Sequence, residues 1–157
     1  MVLNKKQIIF FGGLGLIIVI ILSFFVFART AKTNFEPIKK TVGINNQVIN
    51  VEIASSPEQQ YIGLSNRDSI CADCGMLFVF RDLDEREFVM RDMKFPLDII
   101  FIAKGKIINI AEKLAPEGHE TIYIYKSLAP ADMVLEVNSG YTEKYGIKPG
   151  DNIKISN

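Results

Sequence analysis

The sequence predicts a mainly-β domain, a compact β-sandwich or partly closed small barrel with two short helices, preceded by one transmembrane helix. Three observations carry this expectation. An uncharged apolar run opens the chain, short runs rich in Val, Ile and Phe follow one another between turn residues, and the long crossover helices of a βαβ layout are missing from the pattern.

The apolar run is Ile8 to Ala28, IIFFGGLGLIIVIILSFFVFA. As a helix rising ~1.5 Å per residue it spans about 31 Å, the thickness of a bilayer's hydrocarbon core. Lys5 and Lys6 precede it and Arg29 and Lys32 follow it, so both ends can snorkel to the interfaces. A helix buried in a soluble domain would still carry a polar stripe, and none is present. A cleaved signal peptide is the rival reading, since Val26 and Ala28 satisfy a small-residue cleavage rule. Signal cores run about 7 to 15 apolar residues, and this run is longer, which favours an uncleaved anchor. Arg29, Lys32, Lys39 and Lys40 outnumber the lysines in front, yet a short N-terminal tail usually stays inside. The expected order is therefore a cytoplasmic tail over residues 1–7, an anchor over 8–28, a linker over 29–40 and an extracytoplasmic domain over 41–157. Within the run, Gly12-Gly13-Leu14-Gly15 reads as small residues permitting close helix packing in lipid rather than as a nucleotide loop.

Beyond the anchor the chain is long enough for one domain and too short for two. Its 157 residues carry 18 basic and 18 acidic side chains, so no electrostatic bias attracts polyanions, and no basic stripe with interleaved aromatics is present. Nucleic acid is accordingly not an expected partner. Residues from Thr30 to about Lys40 mix Lys, Thr, Asn, Glu and Pro without an apolar period, as a solvated tether does.

Gln47 to Ile53 alternates polar and apolar positions, the period-two signature of a strand. In Ser55-Ser56-Pro57-Glu58-Gln59 a serine can cap a short helix that Pro57 starts and that runs to about Leu64. Met76–Phe80 and Glu87–Met90 flank the charged segment Arg81 to Arg86 and read as a hairpin around a solvated loop. Asp98–Ala103 and Lys106–Ala111 form a second hairpin across Lys104-Gly105. Thr121–Tyr125 and Met133–Asn138 supply two more strands, broken by Ala129-Pro130-Ala131-Asp132. A short helix follows over Ser139–Tyr145, then the turn Gly146 to Asp151 and a last strand, Asn152–Ile155.

Gly63-Leu64, Gly75-Met76-Leu77-Phe78-Val79-Phe80, Phe95-Pro96-Leu97-Asp98-Ile99-Ile100-Phe101-Ile102, Val134-Leu135-Glu136-Val137-Asn138-Ser139-Gly140 and Gly146-Ile147-Lys148-Pro149-Gly150-Asp151 together form a specific set. From about Val48 to Ile155 the chain resembles the prokaryotic domain of unknown function 192 (DUF192). That family usually carries an aromatic, Met, basic, Asn, Thr run before the Pro. Here Phe88-Val89-Met90-Arg91-Asp92-Met93 places Val where Trp is usual and Asp-Met where Asn-Thr is usual. The resemblance implies a compact mainly-β fold, often behind a signal or anchor, and no agreed activity.

Cys71-Ala72-Asp73-Cys74 is the one cysteine pair, and its spacing suits a local disulfide, a redox dithiol or half of a metal site. Zinc is the weakest of these, because four ligands are needed and the single His, His119, stands in a Pro116–Glu120 loop without a second cysteine pair. The redox reading wants a thiolate stabilised at a helix N-terminus or by a nearby cation, whereas Gly75–Phe80 reads as a strand. In an oxidising compartment a disulfide is the plain reading.

Asp98 and Glu136 intrude on otherwise apolar strands, and Arg91 and Asp92 lie just before Pro96. A carboxylate buried there needs a cation or backbone donors, which makes both acids site candidates. The structural alternatives are that Asp98 caps a strand start and that Glu136, alternating with Val134 and Asn138, faces water or pairs with an arginine. Arg67 can clamp an anion, and Asp151 suits turn geometry. No nucleophile elbow, phosphate loop or zinc-protease motif is present. The expected function is a non-catalytic binding module of the cell envelope, presenting a cleft near Arg67, Met90, Arg91, Asp98 and Glu136 to a polymer, peptide or protein, without cofactor or metal. The alternatives are a hydrolase or lyase using Asp98 and Glu136 as acid and base with Arg91 steadying an anion, and a thiol oxidoreductase using Cys71 and Cys74.

Overall fold

A computed structural model of the protein describes residues 39–156. The cytoplasmic tail expected over 1–7, the transmembrane run over 8–28 and most of the linker expected over 29–40 lie outside the described residues. In chain order the elements are β1 (Lys39–Ile44), β2 (Gln47–Ala54), α1 (Pro57–Ile62), β3 (Cys74–Asp84), β4 (Glu87–Phe88), β5 (Leu97–Ala103), β6 (Lys106–Leu114), β7 (Tyr125–Lys126), β8 (Ala131–Asn138), α2 (Tyr141–Tyr145) and β9 (Ile153–Ser156).

Seven strands form one mixed sheet in the order β6-β5-β8-β3-β2-β1-β9, and β4 and β7 make a separate two-stranded ribbon. The large sheet curls into a half-barrel. Its two edges meet at one end, where Lys106 bridges to Asn152, Ile107 N donates to Asp151 O at 2.9 Å and Gly150 N donates to Ile107 O at 2.8 Å. Register shifts between Leu97 and Ile99 and between Phe101 and Ile102 bend the β5/β6 pair in the manner of bulges. Lys104 and Gly105, with φ of 49° and 77°, provide the two left-handed residues that a tight right-twisted hairpin requires.

Both faces of the sheet are buried, and alternation along each strand sorts the residues. One core gathers Ile49, Val51, Leu77, Ile100, Leu135 and Val137 with Tyr141 and Ile147 from the C-terminal segment. The other gathers Met76, Phe78, Ile99, Phe101 and Val134 beneath Leu64, Met90, Met93 and Phe95 from the connecting loops. That second face carries the candidate site.

The helix after Ser56 forms as expected, with a full capping box: Gln59 N donates to Ser56 Oγ and Ser56 N donates to Gln59 Oε1. The hairpin expected between 76–80 and 87–90 does not form. β3 is flanked by β2 and β8, so both its edges are occupied, and β4 pairs with β7 instead. The strand expected over 121–125 is reduced to Tyr125–Lys126, because the amides of Ile122 and Tyr123 donate to the Glu117 carboxylate and not to a neighbouring strand. Ordered strand already begins at Lys39, ahead of the alternation that marks β2, because β1 finds partners in both β2 and β9. One parallel pair exists after all: β2 and β3 are joined by a crossover in which the six-residue α1 takes the place of a long helix.

Candidate functional site

The register places Asp98 and Glu136 on opposite faces of the sheet. Asp98 pairs with Val137, and Glu136 pairs with Ile99 on β5 and with Met76 on β3. Residues directly opposite in a ladder share a face, and consecutive residues do not. Asp98 therefore faces the Val137 core while Glu136 faces the loops. The sheet itself separates the two carboxylates expected as acid and base, so they do not share a face.

Asp98 is fully buried and fully engaged. Its Oδ1 accepts from Lys113 N at 2.8 Å and Gly140 N at 3.0 Å, and its Oδ2 accepts from Thr142 N at 3.0 Å and Thr142 Oγ at 2.7 Å. Gly140 has no capping side chain, and Asp98 serves α2 in its stead from a distant strand. This is a structural task.

Glu136 is its opposite in every respect but burial. It is 5% exposed, and its Oε2 has no hydrogen-bond partner among the described residues. Burial pushes its pKa up to about 8, against a smaller downward pull from Arg67. Arg67, from the segment after α1, holds Glu52 by two hydrogen bonds of 2.6 and 2.9 Å. Glu52 pairs with Met76 across β2 and β3, so Glu52, Met76, Glu136 and Ile99 form one row across four strands. Arg67 thus engages the row at Glu52, and its charge reaches Glu136 only through space.

Glu136 lines a cleft of about 280 Å³ whose other walls include Tyr61, Phe78, Phe80, Phe88 and Arg91. The sheet contributes Phe78, Phe80 and Glu136, α1 contributes Tyr61, and the segment before β5 contributes Phe88 and Arg91. Phe78 and Phe88 meet edge to face at 4.9 Å between centroids. Arg91 lies 5.0 Å from the Tyr61 ring, and its Nε is 3.5 Å from Asp92 Oδ2. The two covering segments are tied together by Asn66 N donating to Asp92 O at 2.8 Å and by Ser65 Oγ donating to Arg91 O at 3.3 Å.

Met90 is buried in the core on this face of the sheet, and its carbonyl accepts from Met93 N and Glu117 N. Asp92 stands in the left-handed region at φ 57°, a conformation that Asn and Asp tolerate better than other side chains, so the departure from the family's Asn keeps the backbone requirement. His119 is an exposed loop residue whose Nδ1 meets Asp92 Oδ1 at 2.5 Å. Asp151 accepts from Lys148 N within its turn and from Asn45 Nδ2 of the β1–β2 turn.

Cys71 and Cys74 are joined in a disulfide. The pair lies at the start of β3 beside a second cleft of about 420 Å³ that Glu52, Arg67 and Gly75 also line. Gly75 admits no side chain, because a Cβ there would stand 2.4 Å from Glu136 O. Of the expected cleft residues, then, Arg91 and Glu136 line one cleft, Arg67 adjoins it through Glu52, Met90 is buried in the core on the same face and Asp98 is elsewhere. Tyr61, Phe78, Phe80 and Phe88 complete the walls without standing out as site residues in the sequence, although the alternating Phe residues of Gly75–Phe80 are the trace they leave there.

Fold and site together define a mainly-β domain on a single curled half-barrel sheet with two short helices. The chain belongs to DUF192, the family described as Uncharacterized ACR, which it matches over residues 38–155. Among solved structures it is similar to a protein of Sinorhizobium meliloti 1021 provisionally described as a transcription regulator, at 32% identity and a TM-score of 0.72, covering 77% of this chain and 96% of that one. It is also similar to a protein of unknown function from Novosphingobium aromaticivorans DSM 12444, at 30% identity and a TM-score of 0.68, covering 79% and 89%. No curated protein matches.

Proposed function

We propose that the chain is a membrane-anchored module of the cell envelope whose β-domain, on the extracytoplasmic side, binds a ligand in the cleft over Glu136 without making or breaking covalent bonds. The observation that carries this reading is the buried Glu136 with its unpartnered Oε2 in an aromatic-walled cleft. A buried polar atom left unsatisfied costs about 1 to 3 kcal/mol, and a ligand group that reaches it recovers that cost. Tyr61, Phe78 and Phe88 offer apolar area, while Arg91 at the cleft wall adds a fixed positive charge. The ligand is drawn from the polymers, peptides or proteins of the envelope, and it projects one hydrogen-bonding group toward Glu136. The anchor rests on the apolar run of residues 8–28, and protease protection of intact cells tests its orientation.

Two-carboxylate hydrolysis finds no support, because Asp98 and Glu136 are separated by the sheet. Thiol chemistry finds none either, because Cys74 opens a strand and not a helix.

The chain has five methionines, and Met93 lines the cleft while Met133 does not, so methyl spectra of methionine-labelled protein give an internal control. Fragments bearing ammonium, carboxylate or neutral amide heads on an aromatic body are the probes. At least one class is expected to move the Met93 methyl, to leave Met133 still and to lose its effect in Glu136→Gln or Arg91→Ala. If no class moves Met93, or if the response is unchanged in both variants, the binding reading is wrong.

A further inference from the structure

The segment leading into β8 presents an apolar surface that the cleft does not use. Ile122, Tyr123, Ile124 and Leu128 are 62, 63, 52 and 84% exposed, four of the nine large hydrophobic side chains exposed among the described residues. Single exposed apolar residues are ordinary, whereas four gathered so closely along one segment mark a contact surface.

The exposure is built in. Glu117 Oε2 accepts from Ile122 N at 2.9 Å and Tyr123 N at 3.4 Å, and Glu117 Oε1 accepts from the Tyr125 hydroxyl at 3.2 Å. Buried Asn109 donates to Lys126 O at 3.2 Å and accepts from Leu128 N at 3.0 Å. Buried Ser127 donates its amide to Arg86 O and accepts from Arg86 N. The backbone is held against the domain along this stretch while the apolar side chains stay in solvent.

The register locates the end of this segment that leads into β8. β1 begins at Lys39 opposite Glu52, near the end of β2, and Ala54 at that end pairs with Phe78. β8 opens at Ala131 opposite Asp84, farther along β3 in the same direction. The chain therefore enters the sheet at the end where Leu128 leads into β8. The connection from the apolar run to Lys39 is residues 29–38, which fully extended reach about 35 Å.

We propose that Ile122, Tyr123, Ile124 and Leu128 form a lipid-contact surface that seats the domain on the bilayer in which its own N-terminus is anchored. This rests on the anchored reading above. The occupant follows from the tether: a short connection keeps the bilayer at high effective concentration, so a small apolar surface suffices where it would not bind a free partner. Tyr123 suits the headgroup level, with an apolar ring and a polar tip, and the nearby Lys126 ammonium, paired with Glu87 at 2.6 Å, remains more than half exposed.

The chain contains no Trp, so one substitution gives a single fluorophore. Full-length Tyr123→Trp and Val48→Trp chains are reconstituted in vesicles of phosphatidylcholine and phosphatidylglycerol, with and without acyl-chain bromine. Val48 is exposed at the opposite end of the sheet. Bromine is expected to quench Tyr123→Trp about twofold and to leave Val48→Trp unchanged, as an interfacial side chain requires. Tyr123→Trp that floats with vesicles yet emits as in water overturns the proposal and leaves the anchor standing, as does equal quenching of both reporters. A shielded but unquenched Tyr123→Trp with dimers on sedimentation also overturns it, assigning the surface to a second copy. A chain that does not float with vesicles refutes the anchored reading and this surface with it.

Discussion

Glu136→Gln removes one titration from the folded state and should change how stability depends on pH. Burial raises the Glu136 pKa from an ordinary 4.5 to about 8, so between those values the folded chain holds a proton that the unfolded chain releases. The contribution is fully present below pH 4.5, and it declines as pH rises until it is lost above about 8. At ~1.36 kcal/mol per tenfold step the whole range is worth about 5 kcal/mol, of which about 3 kcal/mol is gone by pH 7. The charges bearing on Glu136 are Arg67, which opposes the rise, and Glu52, which engages Arg67. Gln is close to the neutral acid in shape and does not titrate, although its NH2 donor is not the carboxyl's O–H. Urea unfolding of wild type and Glu136→Gln is compared at intervals from about pH 5 to about pH 8.5, with the disulfide intact. Taking the difference between the two proteins cancels every other group that titrates alike in both. The two should be within about 1 kcal/mol at the acid end and diverge by several kcal/mol in favour of Gln at the alkaline end. A difference that stays flat across the range would show that Glu136 is solvated or paired as an ion, and the argument for an unsatisfied acid in the cleft would fall.

Gly75→Ala places a Cβ 2.4 Å from Glu136 O, a backbone atom that cannot yield without parting β3 from β8; the urea midpoint should fall by an amount equivalent to about 3 kcal/mol. Asp98→Ala strips the acceptors from Lys113 N, Gly140 N and Thr142 N, and a loss of about 4 kcal/mol is expected together with faster amide exchange at Gly140 and Thr142. Exchange unchanged at those amides would mean that α2 does not depend on Asp98. Replacing both cysteines by Ser opens only a very short loop, and the chain-entropy argument limits the loss to about 2 kcal/mol, measurable as a modest shift of Tm in a domain that still folds.

What the sequence made legible is what local chemistry decides. The Lys104-Gly105 hairpin, the Ser56 cap and the strand over 133–138 follow from turn residues, capping residues and alternation over a few positions. The failures share one cause, which is competition at long range. Glu87 and Phe88 have the composition of a strand that could return along β3, but the edges of β3 are taken by β2 and β8, both remote in the chain. Glu136 admits two readings, a buried site acid or a residue facing water or an arginine, because it shares its side of the strand with Val134 and Asn138 while Leu135 and Val137 point into the opposite core. Nothing local reveals that the loops carrying Leu64, Met90, Met93 and Phe95 fold over its face. The aromatic cleft is likewise assembled from α1, β3, β8 and the segment before β5, elements that only the finished sheet brings together.

Asp98 and Glu136 make a controlled comparison inside one molecule. Both are carboxyls on neighbouring central strands of the same sheet, and both are buried. One collects three backbone amides and a hydroxyl, which is how a fold accommodates a buried acid when the acid's task is structural. The other keeps Oε2 unpartnered beside a cleft, although Arg67 lies close enough to influence it and directs its two hydrogen bonds to Glu52 instead. Packing demands alone would favour an apolar residue at position 136, since an isostere without the carboxyl would remove the desolvation cost and fit the surrounding Met76, Ile99 and Phe78. On the binding reading proposed above, the acid is accounted for by what enters the cleft and not by what surrounds it, and the ligand supplies the partner that Oε2 lacks among the described residues.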